Sequence, residues 1–217
     1  MKQEFLEIYK KHITRPGSEE LLAYLEKSDF FRAPASHKYH LSIPGGLVMH
    51  SVGVYKRLRK LYILEKILKG ESAELTPEQE ETLAICGLLH DLCKIDFYQY
   101  VKKSRKTGRT LPSGKPEWED YFGYDIEEKL VYGHGEKSVY IASGFMRLTR
   151  EEAIAIRWHM GAWMDGEAKS AGNAFKQYPL AVLTSIADMM STNLDEKEDR
   201  YEGIDGYGTV GDPGLQA

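Results

Sequence analysis

A histidine and an aspartate stand side by side inside an apolar stretch of the chain, "AICGLLHDLCKID", residues 84–96. His90 and Asp91 together offer proton transfer or metal binding, since a neutral imidazole and a carboxylate are both metal ligands. Burying either group is costly unless it is paired or bound to a cation. The plainer alternative is a hydrogen bond between the two inside the core, and the dipeptide alone does not decide between these readings.

Two further polar residues lie in apolar surroundings. His50, in "GGLVMHSVGVYKRL", is by itself more typical of a hydrogen-bonded core histidine than of a ligand. Asp188, in "LAVLTSIADMMSTNL", lies too far inside a predicted helix to cap it, and no Lys or Arg between Lys176 and Lys197 balances its charge. Together, the two histidines and two aspartates form a ligand set for Fe, Mn, Zn, Ni or Co, and with more oxygen ligands for Mg.

Helical spacing and capping signals predict the elements that position these residues. Apolar residues recur at helical spacing over residues 2–12 and over a longer stretch, residues 47–68, that carries His50. Capping boxes at Thr76 and Thr149 predict the starts of two more helices. Pro179 is suited to the first position of the last long helix.

One segment departs from the helical pattern. Residues 97–101, "FYQYV", and the later stretch "EWEDYFGYD" predict a β-hairpin inserted near residues 97–121, within an insertion of about 97–125. The turn between them, residues 102–115, carries only basic charges: Lys102, Lys103, Arg105, Lys106, Arg109 and Lys115. Such a turn can steer an anionic substrate. Six charges do not by themselves indicate nucleic acid, so that partner stays open.

The composition predicts a globular protein of one domain, residues 1–217, with a net charge of -4. We expect no membrane partner, since no apolar run is long enough to span a bilayer and the N-terminus does not resemble a signal peptide. Cys86 and Cys93 lie about 10 Å apart along one predicted helix, too far for a disulfide. A reduced, cytoplasmic protein is therefore expected. The tail from about residue 196 to 217 is rich in Gly and charge and is predicted to be flexible.

The four residues resemble, in order and separation, the ligands of the HD domain superfamily of metal-dependent phosphohydrolases. "GGLVMHS" is similar to the "GGLLEHS" of HD domains such as those of bacterial 3′–5′ exoribonucleases, and "GLLHDLCK" is similar to the family's "LLHDIGK". "IADMMSTNLDE" resembles the family's last ligand helix. The resemblance covers a core of about residues 37–196. It implies an all-α fold, an HD-domain-like helical bundle into which the small hairpin is inserted.

The resemblance also implies two further ligands. His134, in "VYGHGEKSVYIA", and His159, in "IRWHMGAW", stand where dinuclear HD centres have two histidines. One divalent ion would then be held by His50, His90, Asp91 and Asp188, and a second by His134, His159 and Asp91. A water acidified between the ions would be the nucleophile. With a single ion, His134 and His159 would bind substrate instead.

Lys94 resembles the lysine of the family's "HDxxK" pattern. This implies a catalytic role beside Asp91 and a contact with a phosphate oxygen, whereas a surface lysine at a helix end is the alternative. Further expected substrate contacts are Tyr39, His40, Lys137 and Arg157, of which the last two are weaker candidates with solvated charge as the alternative.

The function implied by the resemblance is hydrolysis of a phosphomonoester or phosphodiester, in a nucleotide or a related phosphorylated small molecule. Two alternatives stay open. Some HD proteins activate oxygen at a di-iron centre with a similar ligand set, and a nucleotide-binding sensor would keep a structural metal without catalysis. Lys94 does not discriminate between hydrolase and oxygenase. The sequence does not indicate the oligomeric state.

Overall fold

The computed structural model describes residues 1–161 and 168–196, so most of the tail predicted to be flexible lies outside the described residues. The helices are α1 (Lys2–His12), α2 (Ser18–Lys27), α3 (Gly46–Leu68), α4 (Pro77–Leu89), α5 (His134–Ser143), α6 (Arg150–Arg157), α7 (Ala168–Gln177) and α8 (Pro179–Met190). Two antiparallel strands, β1 (Tyr98–Thr110) and β2 (Pro116–Ile126), form a hairpin between α4 and α5. The prediction of an all-α fold with an inserted hairpin is confirmed. Within the described part, no helix is both long and apolar enough to cross a membrane.

The helix that leads to the His-Asp pair begins and ends at defined residues. The Thr76 hydroxyl accepts a hydrogen bond from the Gln79 N–H, and the side-chain oxygen of Gln79 accepts one from the Thr76 N–H, so the predicted capping box is present. The helix does not continue through the whole apolar stretch, as the sequence suggested. It stops at Leu89, and a short 3₁₀ turn, Leu92–Lys94, follows. The pair therefore lies at a helix end, where the chain turns into the site.

Helix α3 packs against both α4 and α8, and residues of all three helices belong to the main apolar core. Helices α3 and α4 approach each other closely at Gly87. A Cβ placed on Gly87 would lie 2.5 Å from the Cα of Tyr55. Only a residue without a side chain permits this approach, and the approach brings His50 on α3 next to His90 after α4.

Replacing Gly87 with alanine is expected to lower the free energy of unfolding by about 1–3 kcal/mol, because the new methyl group must push α3 and α4 apart. Gly172 on α7 is the matched control. A Cβ there would meet no atom within 4 Å, so Gly172→Ala is expected to stabilise the helix by about 0.5–1 kcal/mol. Urea denaturation of both variants measures these changes. An unchanged midpoint for Gly87→Ala would contradict the close packing of the two helices.

Helix α6 is held in place by a buried carboxylate. Glu152 completes the second predicted capping box with Thr149. It also accepts two hydrogen bonds from the guanidinium of Arg15, at 2.8 and 2.9 Å, and one from the hydroxyl of Thr82. These contacts tie α6 to the start of α2 and to α4. The helix end that carries His159 is thereby fixed relative to the His-Asp pair.

The hairpin is longer than the sequence suggested. Most of the basic segment belongs to β1, and only residues 111–115 form the turn. The strands pair from Tyr98 opposite Ile126 to Thr110 opposite Pro116, with an irregularity after Lys106. Among the described residues, no side chain of β1 or β2 joins the main apolar core. The hairpin therefore projects from the helical body.

Candidate metal centre

The structure brings all six predicted ligands together, although five stretches of chain supply them. His50 lies at the start of the second turn of α3, His90 and Asp91 follow α4, and Asp188 lies on α8. His134 begins α5, and His159 follows α6. The imidazole rings form a continuous row: the centroids of His50 and His90 are 5.0 Å apart, those of His90 and His159 are 4.8 Å apart, and those of His159 and His134 are 5.1 Å apart.

Three of the histidines have their tautomer fixed by hydrogen bonds on one side of the ring. Nδ1 of His90 lies 2.9 Å from the Gly87 carbonyl oxygen, and Nδ1 of His159 lies 2.7 Å from the Ile156 carbonyl oxygen. Nδ1 of His50 lies 2.8 Å from a carboxylate oxygen of Glu196. Each Nδ1–H must donate to these oxygens, so in the neutral ring each Nε2 is left with a lone pair. This is the arrangement of metal-binding histidines.

The Nε2 atoms face one another and the carboxylates. Nε2 of His50 lies 3.1 Å from Nε2 of His90 and 3.1 Å from Oδ1 of Asp188. Two imidazole lone pairs cannot face each other at this distance without a proton or a metal ion between them. Nε2 of His159 is buried and has no hydrogen-bond partner among the described residues. The orphaned nitrogen and the facing lone pairs show that the residues fit a divalent cation.

The two oxygens of Asp91 face different halves of the cluster. Oδ2 lies 3.5 Å from Nε2 of both His50 and His90. Oδ1 lies 2.9 Å from Nε2 of His134 and 3.5 Å from Nε2 of His159. Asp91 is thus placed between the two predicted ligand groups, as a bridging carboxylate would be. Four overlapping groups of three side chains come close enough to hold an ion: His50, His90 and Asp188; His90, Asp91 and His159; Asp91, Cys93 and His134; His40, His50 and Glu196.

The electrostatics of the cluster are those of an anionic pocket that attracts cations. Burial lowers the pKa of His50, but the carboxylates of Glu196 and Asp188 outweigh burial and raise that pKa to about 10. Burial raises the pKa of Asp91, but the ammonium of Lys94 holds it well below its usual range. Burial also raises the pKa of Asp188, but His50 outweighs burial and lowers that pKa below its usual range. A proton on His50 and a metal ion therefore compete for the same place, and metal binding weakens as the pH falls.

Two residues of the centre were missed by sequence reasoning. Glu196 lies in a strongly charged stretch that is typical of a solvated tail, yet it is buried and contacts His40, His50 and Ser191. Cys93, to which the sequence analysis gave no part in the site, lies with its Sγ 3.4 Å from Nδ1 of His134. The end of the motif "IADMMSTNLDE" was the only signal for Glu196, and no pattern distinguished Cys93 from a core cysteine.

The cluster opens into a pocket of about 360 Å³. Three of the predicted substrate contacts line this pocket: Lys94, Tyr39 and His40. Tyr98 lines it as well. Nζ of Lys94 lies 2.6 Å from Oδ2 of Asp91, and Tyr39 is exposed at the mouth. His40 lies with Nδ1 2.5 Å from the other carboxylate oxygen of Glu196.

Two predicted substrate contacts, Lys137 and Arg157, do not line this pocket. The ammonium of Lys137 is buried and lies 2.6 Å from a carboxylate oxygen of Glu128. The guanidinium of Arg157 pairs with Glu136 and packs over the ring of Trp158. The direction of each side chain is set by these partners.

Comparison with known proteins identifies the family. No curated protein and no solved structure matches the chain significantly. The model of the HD domain family matches residues 47–193, more than half of the 217 residues. The match includes all six clustered histidines and aspartates. The chain therefore belongs to the HD domain family, a family of metal-dependent hydrolases.

Proposed function

We propose that the protein is a metal-dependent phosphohydrolase that acts on a phosphomonoester or phosphodiester of a nucleotide or a related phosphorylated small molecule. The observation that carries the proposal is the convergence of Nε2 of His50, His90 and His159 with two carboxylates beside a pocket that Lys94 lines. A centre of this kind beside an ammonium suits a phosphate group, which binds metal ions and a cation at once.

The ligand atoms divide into two groups. His50, His90 and Asp188 would hold one divalent ion, His134 and His159 would hold a second, and Asp91 would belong to both. The donors are imidazole nitrogen and carboxylate oxygen, which suit Fe, Mn, Co, Ni or Zn. The chemistry that bound divalent ions supply is charge stabilisation of phosphoryl oxygens and acidification of the water that attacks phosphorus.

The remaining residues bind and orient the substrate. The ammonium of Lys94 is held over the cluster by Asp91, where it can bind a phosphate oxygen. Burial lowers the pKa of Lys94, but Asp91 outweighs burial and raises it, so the side chain stays charged at neutral pH. Tyr39 and His40 at the mouth are placed to contact the rest of the substrate. The pocket volume of about 360 Å³ suits a ligand of nucleotide size.

The proposal is tested with metal-free protein reloaded separately with Mn, Mg, Co, Ni, Zn or Fe. We expect release of product from p-nitrophenyl phosphate, bis(p-nitrophenyl) phosphate or a mononucleotide with at least one metal, and no release with EDTA. His12→Gln is the control, because this histidine lies on α1 outside the cluster. Oxygen consumption by the iron form, with no phosphoester hydrolysis under any metal, would contradict the proposal and support the oxygenase.

A further inference from the structure

One face of the hairpin carries a row of aromatic side chains. Residues paired across an antiparallel ladder point to the same face, and alternate residues of each strand share it. This face comprises Tyr98, Tyr100, Lys102, Ser104 and Lys106 of β1 and Trp118, Asp120, Phe122, Tyr124 and Ile126 of β2. We refer to these ten residues as the aromatic face.

The aromatic side chains on this face contact one another. The ring of Tyr100 lies 5.1 Å from that of Tyr124 and is stacked on that of Phe122 at 5.8 Å. The ring of Tyr98 lies 6.4 Å from that of Tyr124. Tyr100 and Phe122 are each 39% exposed, and Trp118 is 58% exposed. Since the hairpin is outside the core, this surface is unusually apolar for a projecting element and is suited to a ligand with flat rings.

The aromatic face is continuous with the candidate metal centre. Tyr98, its first residue, also lines the pocket that holds Lys94 and Asp91. Successive side chains on one face of a strand are about 6.6 Å apart. A ligand that follows the face from tip to base therefore enters the pocket at Tyr98.

The charge of the hairpin favours an anionic ligand, although the whole chain is acidic. Between residues 98 and 126 there are six Lys or Arg residues and four Asp or Glu residues. The acidic partners sit mostly within ion pairs: Lys102 with Asp120, Lys103 with Asp125, and Arg105 with Glu119. The fourth carboxylate, Glu117, accepts a hydrogen bond from Thr107. The excess positive charge lies toward the tip, on Lys106, Arg109 and Lys115.

The opposite face differs in character. Arg105 pairs with Glu119 and packs over the ring of Tyr121, and Lys103 pairs with Asp125. Charged pairs thus cover its one aromatic ring. On the aromatic face, Lys106 lies over Trp118 at 5.6 Å and Lys102 pairs with Asp120, while the rings of Tyr100 and Phe122 stay partly exposed.

We propose that the aromatic face binds a single-stranded polynucleotide, with bases stacked on Tyr100, Phe122 and Tyr124 and one phosphodiester delivered to the metal centre past Tyr98. Flat aromatic side chains combined with Lys and Arg along one path are the general means of binding single strands without reading their sequence. This inference rests on the proposed function, because it names the substrate class of the same site.

The test is binding of fluorescein-labelled ten-nucleotide oligo(dT) and oligo(U) to the full chain in EDTA, measured by fluorescence anisotropy. EDTA separates binding from hydrolysis. The double substitution Tyr100→Ala and Phe122→Ala is expected to raise Kd by about tenfold or more for each ring removed. This is roughly the binding free energy that one stacked base contributes. Tyr121→Ala, on the opposite face, is the matched control and is expected to change affinity by less than about twofold. The two oligonucleotides distinguish DNA from RNA as the preferred strand.

A second variant keeps the test informative if the aromatic substitutions unfold the hairpin. Replacing Lys106, Arg109 and Lys115 with glutamine is expected to make the dependence of log K on log salt shallower by up to about 2 units, since each single-strand phosphate contact contributes roughly 0.7. Absence of oligonucleotide binding to the unsubstituted protein, or an equal loss in Tyr121→Ala, overturns the inference. A different result would also overturn the inference: the unsubstituted protein forms dimers, binds no oligonucleotide, and loses the dimers when Tyr100 and Phe122 are replaced. The aromatic face would then be an interface between copies of the chain. Hydrolysis of bis(p-nitrophenyl) phosphate by the unsubstituted protein tests the proposed function separately.

Discussion

Asp91→Ala is expected to lose bound divalent metal and to lower kcat/KM for phosphoester hydrolysis by about 10³-fold or more. The carboxylate faces both ligand groups, with Oδ2 toward His50 and His90 and Oδ1 toward His134 and His159. Its removal takes a shared ligand from either ion, and metal charge stabilisation is worth several kcal/mol in the transition state. Metal content by plasma mass spectrometry and steady-state kinetics measure the two losses.

The substitution also affects stability, and the control must separate the two effects. Asp91→Ala leaves the buried ammonium of Lys94 without its partner, which is expected to cost about 3–5 kcal/mol of unfolding free energy. Asp91→Asn keeps the volume of the side chain, and the double variant Asp91→Asn with Lys94→Met removes the unpaired charge. Both are expected to fold and still to lack activity. Full metal content together with full activity in Asp91→Ala would refute the assignment of the centre.

Glu196→Ala is expected to weaken metal binding by about 10–100-fold, the usual loss when the hydrogen-bond partner of a metal-binding histidine is removed. Glu196 accepts the Nδ1–H of His50 at 2.8 Å, which aims the Nε2 lone pair at the cluster. Its other oxygen contacts His40, so the substitution also frees a side chain at the pocket mouth. Competition with a chelator at fixed pH measures the change. Glu71→Gln, an exposed carboxylate 54% accessible, is the control.

Proton release on metal binding distinguishes a positioning role of Glu196 from a purely structural one, because a purely structural role would leave it unchanged. The pKa of His50 is raised to about 10 against the effect of burial, chiefly by Glu196. A metal ion that binds at pH 7 must therefore displace a proton in the unsubstituted protein, and fewer protons should be displaced in Glu196→Ala. Calorimetry in buffers of different ionisation enthalpy counts them. Equal metal affinity and equal proton release in the two proteins would show that Glu196 does not position His50.

The sequence predicted the centre where local pattern and chemistry agreed. His50, Asp91 and Asp188 stand in apolar helical stretches where a polar group is costly, and that cost is visible without a structure. The capping boxes at Thr76 and Thr149 were equally local, and both are confirmed. Such signals depend on neighbours in the chain, which is why they could be read from it.

What the sequence did not predict depends on contacts between distant residues. Glu196 is 146 positions from His50, and its charged neighbours favoured a solvated tail. Tertiary contacts also determine where α4 ends, at Leu89, and how long the hairpin strands are. They set the directions of the Lys137 and Arg157 side chains as well. α7 was not predicted, because the stretch that forms it, "AKSAGNAFKQ", has few large apolar residues to mark a buried face. Propensity and spacing specify elements, but packing partners decide where they stop and where side chains point.

The central claim is that the cluster is a divalent metal centre, and anomalous scattering from crystals grown with Mn²⁺ tests it most directly. We predict anomalous density within roughly 2.0–2.3 Å of Nε2 of His50 and His90 and of the carboxylate of Asp188, with Asp91 as a further ligand. A second peak beside His134 and His159 would establish a dinuclear centre. Ordered crystals in saturating Mn²⁺ with no anomalous density at the cluster, and with Nε2 of His50 and His90 still in direct contact, would contradict the account.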